Sequence, residues 1–286
     1  MPASTAPRVD PALAQWMLDR VRAGDTPQAM LEAMLAQGWQ QQSALEAIEH
    51  TLQAHVDAVG AANALPARVA VPQPVAANDT WELDLDGHRV HVLASMLLPR
   101  VVVLGGFLSA DECRQMIQLA RHRLAPSTTL NLETGEDQQV GDRSSEGVFF
   151  QRGEHPLCAR IEARIARLLD WPVENGEGLQ VLRYGPGAEY RPHYDYFDPR
   201  RPGTAATLQR GGQRVASLVI YLNTPHRGGA TTFPDVHLEV GAVAGNAVFF
   251  SYDRAHPLTR SLHGGAPVTE GEKWVATKWL RQARHD

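Results

Sequence analysis

The 286-residue chain has only two cysteines, Cys113 and Cys158, which excludes a disulfide scaffold and a cysteine-based zinc finger. Each falls in a stretch of helical character, where a free thiol serves as a small buried hydrophobe. No apolar run approaches the ~20 residues that would span a bilayer, so no membrane span is expected. The opening residues, Met1-Pro2-Ala3-Ser4-Thr5-Ala6-Pro7, lack the basic and apolar regions of a secretory signal, and a reducing cytoplasm is the expected compartment. Positive charge is also short, with 27 Lys and Arg against 32 Asp and Glu and a formal net charge of −5. Most of that excess lies in residues 1–62, where Arg8, Arg20 and Arg22 face seven carboxylates. Neither part of the chain has the basic footprint of phosphate-dominated binding, so nucleic acid is not an expected partner.

Hydrophobic residues make up 43% of the chain and charged ones 21%, enough apolar material for a sizeable core. Residues 10–56 read as three short helices. Asp10-Pro11 and Thr26-Pro27 place a capping oxygen before a proline at the first helical position. Ser43 with Glu46 predicts a capping box for the third helix, and Gly24 and Gly38 predict the ends of the first two. The expected organisation is a small helical unit over 1–60, a linker over 61–80 rich in Ala, Pro and Val, and a catalytic domain over 81–286. A unit that small has little core of its own, so it is either a solvated appendage or a protein-contact module.

Past the linker, Trp81–Val92 predicts a hairpin turning at Asp86-Gly87, and Val101–Leu104 a buried strand. Helices are expected over Ser109–Arg123 and Leu157–Leu169. Eight short strands then follow, over 179–184, 190–197, 214–222, 230–233, 237–240, 246–250, 259–263 and 272–281. The fold class is mainly β with α, a double-sheet jelly roll flanked by helices.

The chemistry concentrates in Tyr190-Arg191-Pro192-His193-Tyr194-Asp195, answered by Ser261-Leu262-His263 and Lys273-Trp274. In a strand, residues i and i+2 share a face, so His193 and Asp195 point together. With His263 as third ligand they form a two-histidine, one-carboxylate face that suits ferrous iron and leaves positions open. His256 competes for the third place. Lys273, on the strand after His263, is a buried ammonium that needs an anion, and the far carboxylate of a dicarboxylic keto acid would serve. Tyr184 and Thr231 lie where their hydroxyls reach the same carboxylate.

The run Leu179-Gln180-Val181-Leu182-Arg183-Tyr184-Gly185-Pro186-Gly187 through Phe197 resembles the metal-binding segment of prolyl 4-hydroxylases. So do Gln213-Arg214-Val215, Gly228-Gly229-Ala230-Thr231, Ser261-Leu262-His263 and Gly271-Glu272-Lys273-Trp274 through Trp279. The resemblance covers roughly 97–283 and leaves residues 1–80 outside. It implies a double-stranded β-helix enzyme using Fe(II), 2-oxoglutarate and O2, with ascorbate as a reductant. His193, Asp195 and His263 match the iron ligands, and Lys273, Tyr184, Thr231 and Trp279 the 2-oxoglutarate contacts. Tyr190, Arg214, Arg281 and the Arg143–Ser145 loop match positions that contact a peptide substrate. Arg281 departs from the histidine that some members carry there. The implied reaction hydroxylates a prolyl residue in a peptide or protein, releasing succinate and CO2. Two further readings remain at this level: a hydroxylase of a free amino acid or small metabolite, and a binding or sensing protein with a vestigial metal pocket.

Overall fold

The computed structural model describes residues 9–74, 81–127, 129–130, 137–138 and 144–285. The chain divides into two units, residues 1–68 and 69–286. In the first, α1 (Pro11–Arg22), α2 (Pro27–Ala36) and α3 (Gln41–Ala62) close on Met17, Met30, Met34, Ala44 and Ile48. Asp10 and Thr26 cap α1 and α2 as expected, accepting from the Leu13 and Ala29 N–H groups at 2.8 and 3.2 Å. The expected Ser43–Glu46 capping box does not form, because α3 already begins at Gln41 and Ser43 lies inside its first turn. α3 also runs on to Ala62, since the alanine-rich stretch before Asn63 contains no proline and its single glycine, Gly60, is buried within the helix. Val21, Leu35, Leu45, Val56 and Val59 remain exposed on this unit. Among the described residues no helix is long and apolar enough to cross a membrane.

The second unit is built on two antiparallel sheets. The major sheet runs Glu82–Leu85, His88–Met96, Arg100–Gly105, Ala247–Ser251, Arg214–Tyr221, Lys273–Arg281, Leu179–Tyr184, Glu146–Phe150 and Ala125–Pro126. The minor sheet runs Leu238–Val240, Thr231–Phe233, His263–Gly265 and Tyr190–His193. Together they form the expected jelly roll. Two expected strands differ in extent. The 190–197 strand ends at His193, and the Gln213 side chain takes over its pairing by accepting from the Phe197 N–H and donating to the Phe197 carbonyl, both at 2.7 Å. The 259–263 strand is replaced by a turn over Pro257–Thr259 and a strand over His263–Gly265. His256 caps that turn through Nδ1, accepting from the Leu258 N–H at 3.1 Å, so this competitor for the metal is already engaged elsewhere.

Period-two alternation divides the major sheet into two faces. Ala216, Leu218, Ile220, Phe249, Trp274, Ala276 and Leu280 pack beneath α4 (Ala110–Arg121) and α5 (Pro156–Leu169). Leu182, Tyr184, Tyr221, Val248, Phe250 and Val275 face the minor sheet. A buried charge also lies on the apolar helix side. Lys278 donates to Glu162 of α5 at 2.6 Å, with both side chains 2% exposed. Removing one partner strands the other charge, so Lys278→Ala or Glu162→Ala is expected to cost about 3–5 kcal/mol. Denaturant unfolding checks this, and the double change Lys278→Met with Glu162→Leu is expected to cost far less.

Candidate active site

The site lies between the sheets, where the end of the minor sheet brings three donors together. His193 and His263 are direct partners across neighbouring strands, with ring centroids 4.4 Å apart. Asp195, just past the strand end, presents Oδ1 to His193 Nε2 at 3.5 Å and Oδ2 to His263 Nε2 at 3.4 Å. All three ligand atoms lie within 4.8 Å of one another.

The outer nitrogens settle how the rings are oriented. His193 Nδ1 is 2.9 Å from the Arg191 carbonyl and His263 Nδ1 is 3.0 Å from the Ser261 carbonyl. A carbonyl only accepts, so each Nδ1 carries a proton and each ring turns its Nε2 toward Asp195. Burial pushes His263 down to about 4, with His193 adding to the fall and Asp195 opposing it. Burial alone would raise the Asp195 carboxyl, but His263, His193 and Arg214 outweigh it and hold it well below the usual range. A neutral imidazole beside an ionised carboxylate is two lone-pair donors facing each other. A divalent cation resolves that conflict, and two imidazoles with one carboxylate are the donor set for non-haem ferrous iron.

Above this face opens a cavity. Lys273, Val275, Thr277 and Trp279 line it from one strand, Leu182 and Tyr184 from the next, with Tyr190, Val219, Thr231 and Gly265 completing the wall. Lys273 is 4% exposed, and burial alone pushes its ammonium down to about 8. Its Nζ lies 5.6 Å from the Tyr184 ring and 5.8 Å from the Tyr221 ring. Glycines clear its path: a Cβ at Gly229 would stand 3.2 Å from Lys273 Cδ. The Thr231 hydroxyl accepts from Tyr221 at 2.8 Å, which leaves its own proton free to be donated. Among the described residues Trp279 Nε1 is buried without a hydrogen-bond partner. An ammonium and an orphaned N–H in one buried cavity fit a dianionic ligand.

Other expected site residues are placed differently. Tyr190 stacks on His193 with centroids 3.7 Å apart, at the cavity wall. Arg214 does not line the cavity. It donates to both Glu177 oxygens at 2.7 and 2.8 Å and lies 4.0 Å from the Trp279 ring centroid, bracing that ring from behind. Arg281 does not line the cavity either: at 1% exposure its Nε is 2.8 Å from Glu177 and its Nη1 donates to the Gly212 carbonyl at 2.6 Å. The reason is Glu177, whose burial would raise its carboxyl but which Arg214 and Arg281 together hold low. Ser145 is buried, its hydroxyl donating to Ser127 Oγ at 3.0 Å in the edge-strand pairing. Arg143, with much of the expected lid over 126–146, lies outside the described residues.

A model of the 2OG-Fe(II) oxygenase superfamily matches residues 179–281, which hold all three metal-facing donors and Lys273. Prolyl 4-hydroxylase 1 of Arabidopsis thaliana is 41% identical over 203 residues, covering 64% of this chain and 69% of the relative. The chain belongs to the prolyl 4-hydroxylase family. Prolyl 4-hydroxylase 2 of the same plant is 38% identical over 205 residues, covering 64% of this chain and 67% of the relative. Among solved structures, the 2OG complex of the viral collagen prolyl hydroxylase from Paramecium Bursaria Chlorella virus-1 aligns with a TM-score of 0.48 at 31% identity, covering 63% of this chain and 95% of that one. As a member of the prolyl 4-hydroxylase family, this chain is a dioxygenase dependent on Fe(II) and 2-oxoglutarate. Sequence reading passed over Ser217, Tyr252, Thr277 and Glu177 around this site. Ser217 alone left a signal, a single hydroxyl inside the apolar strand Val215-Ala216-Ser217-Leu218-Val219-Ile220.

Proposed function

We propose that this chain hydroxylates a prolyl residue of a peptide or protein, with His193, Asp195 and His263 as the iron ligands and Lys273 as the anchor for the far carboxylate of 2-oxoglutarate. The observation that carries the reading is the meeting, in one cavity, of three mutually facing donors and a buried ammonium that has no carboxylate partner among the described residues. When bound, ferrous iron with 2-oxoglutarate supplies the O2-dependent conversion of a C–H bond to C–OH, with succinate and CO2 as the other products. The chain's own residues place and exclude. The two imidazoles and the carboxylate occupy one face and leave the cavity side open. Lys273 holds one end of the keto acid by charge, and the Thr231 and Tyr184 hydroxyls and the Trp279 N–H supply donors beside it. Tyr190, stacked on a ligand ring, offers an aromatic wall at the mouth where an apolar five-membered ring packs.

A peptide with several prolines, incubated with Fe(II), 2-oxoglutarate and O2, is expected to gain one oxygen per hydroxylated residue with matching succinate release. Mass spectrometry locates the added oxygen. Turnover of free amino acids with none on any prolyl peptide would overturn the peptide reading and favour a small-molecule hydroxylase.

A further inference from the structure

Behind Asp195 lies a buried hydroxyl chain that the reaction does not require as reactant. Ser217 Oγ donates to Asp195 Oδ2 at 2.5 Å, and the Tyr252 hydroxyl is 2.9 Å from Ser217 Oγ. The direction of both bonds follows from valence. An ionised carboxylate only accepts, so the single Ser217 proton is committed to Asp195, and Tyr252 must donate to Ser217. Ser217 is fully buried and Tyr252 is 1% exposed, so no water competes for these partners. Ser217 is fixed from both sides by the sheet, opposite Trp279 on one strand and Phe250 on the other. Tyr252 is held by its own packing on Phe250 and Tyr196.

We propose that Ser217, oriented by Tyr252, is a positioning residue that ties up Asp195 Oδ2 and commits the carboxylate to binding metal through Oδ1 alone. The inference rests on the proposed metal site. A carboxylate free to bind through both oxygens would take a position that a one-oxygen ligand leaves open for the keto acid or O2. A hydroxyl bonded to Oδ2, which also lies 3.4 Å from His263 Nε2, occupies a lone pair of that oxygen and opposes that, and the Tyr252 bond prevents the Ser217 hydroxyl from rotating away.

The test titrates the metal-free full-length chain anaerobically with Fe(II), and separately with Co(II), whose visible spectrum reports coordination number. Outer-sphere partners of metal ligands are worth about 10–100-fold in metal affinity, and Ser217→Ala is expected to weaken binding by that much. Its Co(II) spectrum is expected to differ from wild type, and succinate release is expected to outrun hydroxylated product. Ser217→Thr, which keeps the hydroxyl, is expected to restore the wild-type spectrum. Tyr252→Phe removes one oxygen and keeps the ring, and is expected to shift the same spectrum in the same direction by a smaller amount. Wild-type affinity and spectrum in folded Ser217→Ala overturn the proposal. Should Ser217→Ala fail to fold, an unchanged spectrum in Tyr252→Phe overturns it instead. Failure of the wild-type chain to bind either metal would overturn the metal site itself, a result distinct from both.

Discussion

His263→Ala is expected to reduce prolyl hydroxylation by about 1000-fold or more while leaving the protein folded. The ring is the only one of the three donors supplied by the strand His263–Gly265, and no second histidine shares its register position opposite His193. A coordinate bond of this kind stabilises reacting charge by several kcal/mol, and about 4 kcal/mol corresponds to roughly a thousandfold in rate. Stability is expected to respond far less. The ring is held neutral by burial, so its removal breaks no full ion pair. Asp195→Ala is expected to match the loss of activity. Thermal melting alongside turnover separates the two effects, and a His263→Ala enzyme retaining a tenth of wild-type activity would refute the ligand assignment.

Lys273→Met is expected to raise the KM for 2-oxoglutarate by about 100-fold, taking the loss of a buried charge partner as about 3 kcal/mol. The same change is expected to stabilise the protein in the absence of the keto acid. Burial lowers the Lys273 ammonium from 10.5 to about 8, and at about 1.4 kcal/mol per unit this costs the folded state roughly 3 kcal/mol. The sign with pH follows from proton counting. Between about 8 and 10.5 the unfolded chain holds a proton that the folded site has lost, so stability rises with pH across that window and the full penalty applies below it. Affinity for 2-oxoglutarate runs the other way. It is expected to be flat below about pH 8, where the ammonium is already charged, and to fall above it by up to tenfold per pH unit as a proton must be taken up. Calorimetry in two buffers of different ionisation enthalpy reads that proton directly. A pH-independent affinity through pH 9.5 would place the anchor elsewhere.

The donor set was legible because its residue types are chemically specific and its spacing follows from strand geometry. Yet His193 and Asp195 do not share a strand face as expected, since the strand stops at His193. They meet nonetheless, with Ser217 hydrogen-bonded to the carboxylate. Arg214 and Arg281 show the opposite failing. An arginine near a site reads equally well as a ligand contact or a buried counter-charge, and only the folded chain shows Glu177 between these two as their common counter-charge. Helix ends were legible where a proline followed a capping side chain, at Pro11 and Pro27. They were misread at α3, where the capping pair Ser43 and Glu46 competes with a helix already propagating from Gln41.

Local patterns carried the jelly-roll class, the pairing of inward residues on each strand and the identities of the three clustered donors and the ammonium, because alternation and side-chain chemistry act over a few residues. Register between distant strands did not follow from those patterns. It set His193 opposite His263, Lys273 opposite Tyr184 and Ser217 opposite Trp279. Those pairings depend on hydrogen-bond ladders and packing shared by the whole roll, and a shift of one residue would have turned each of these side chains to the other face.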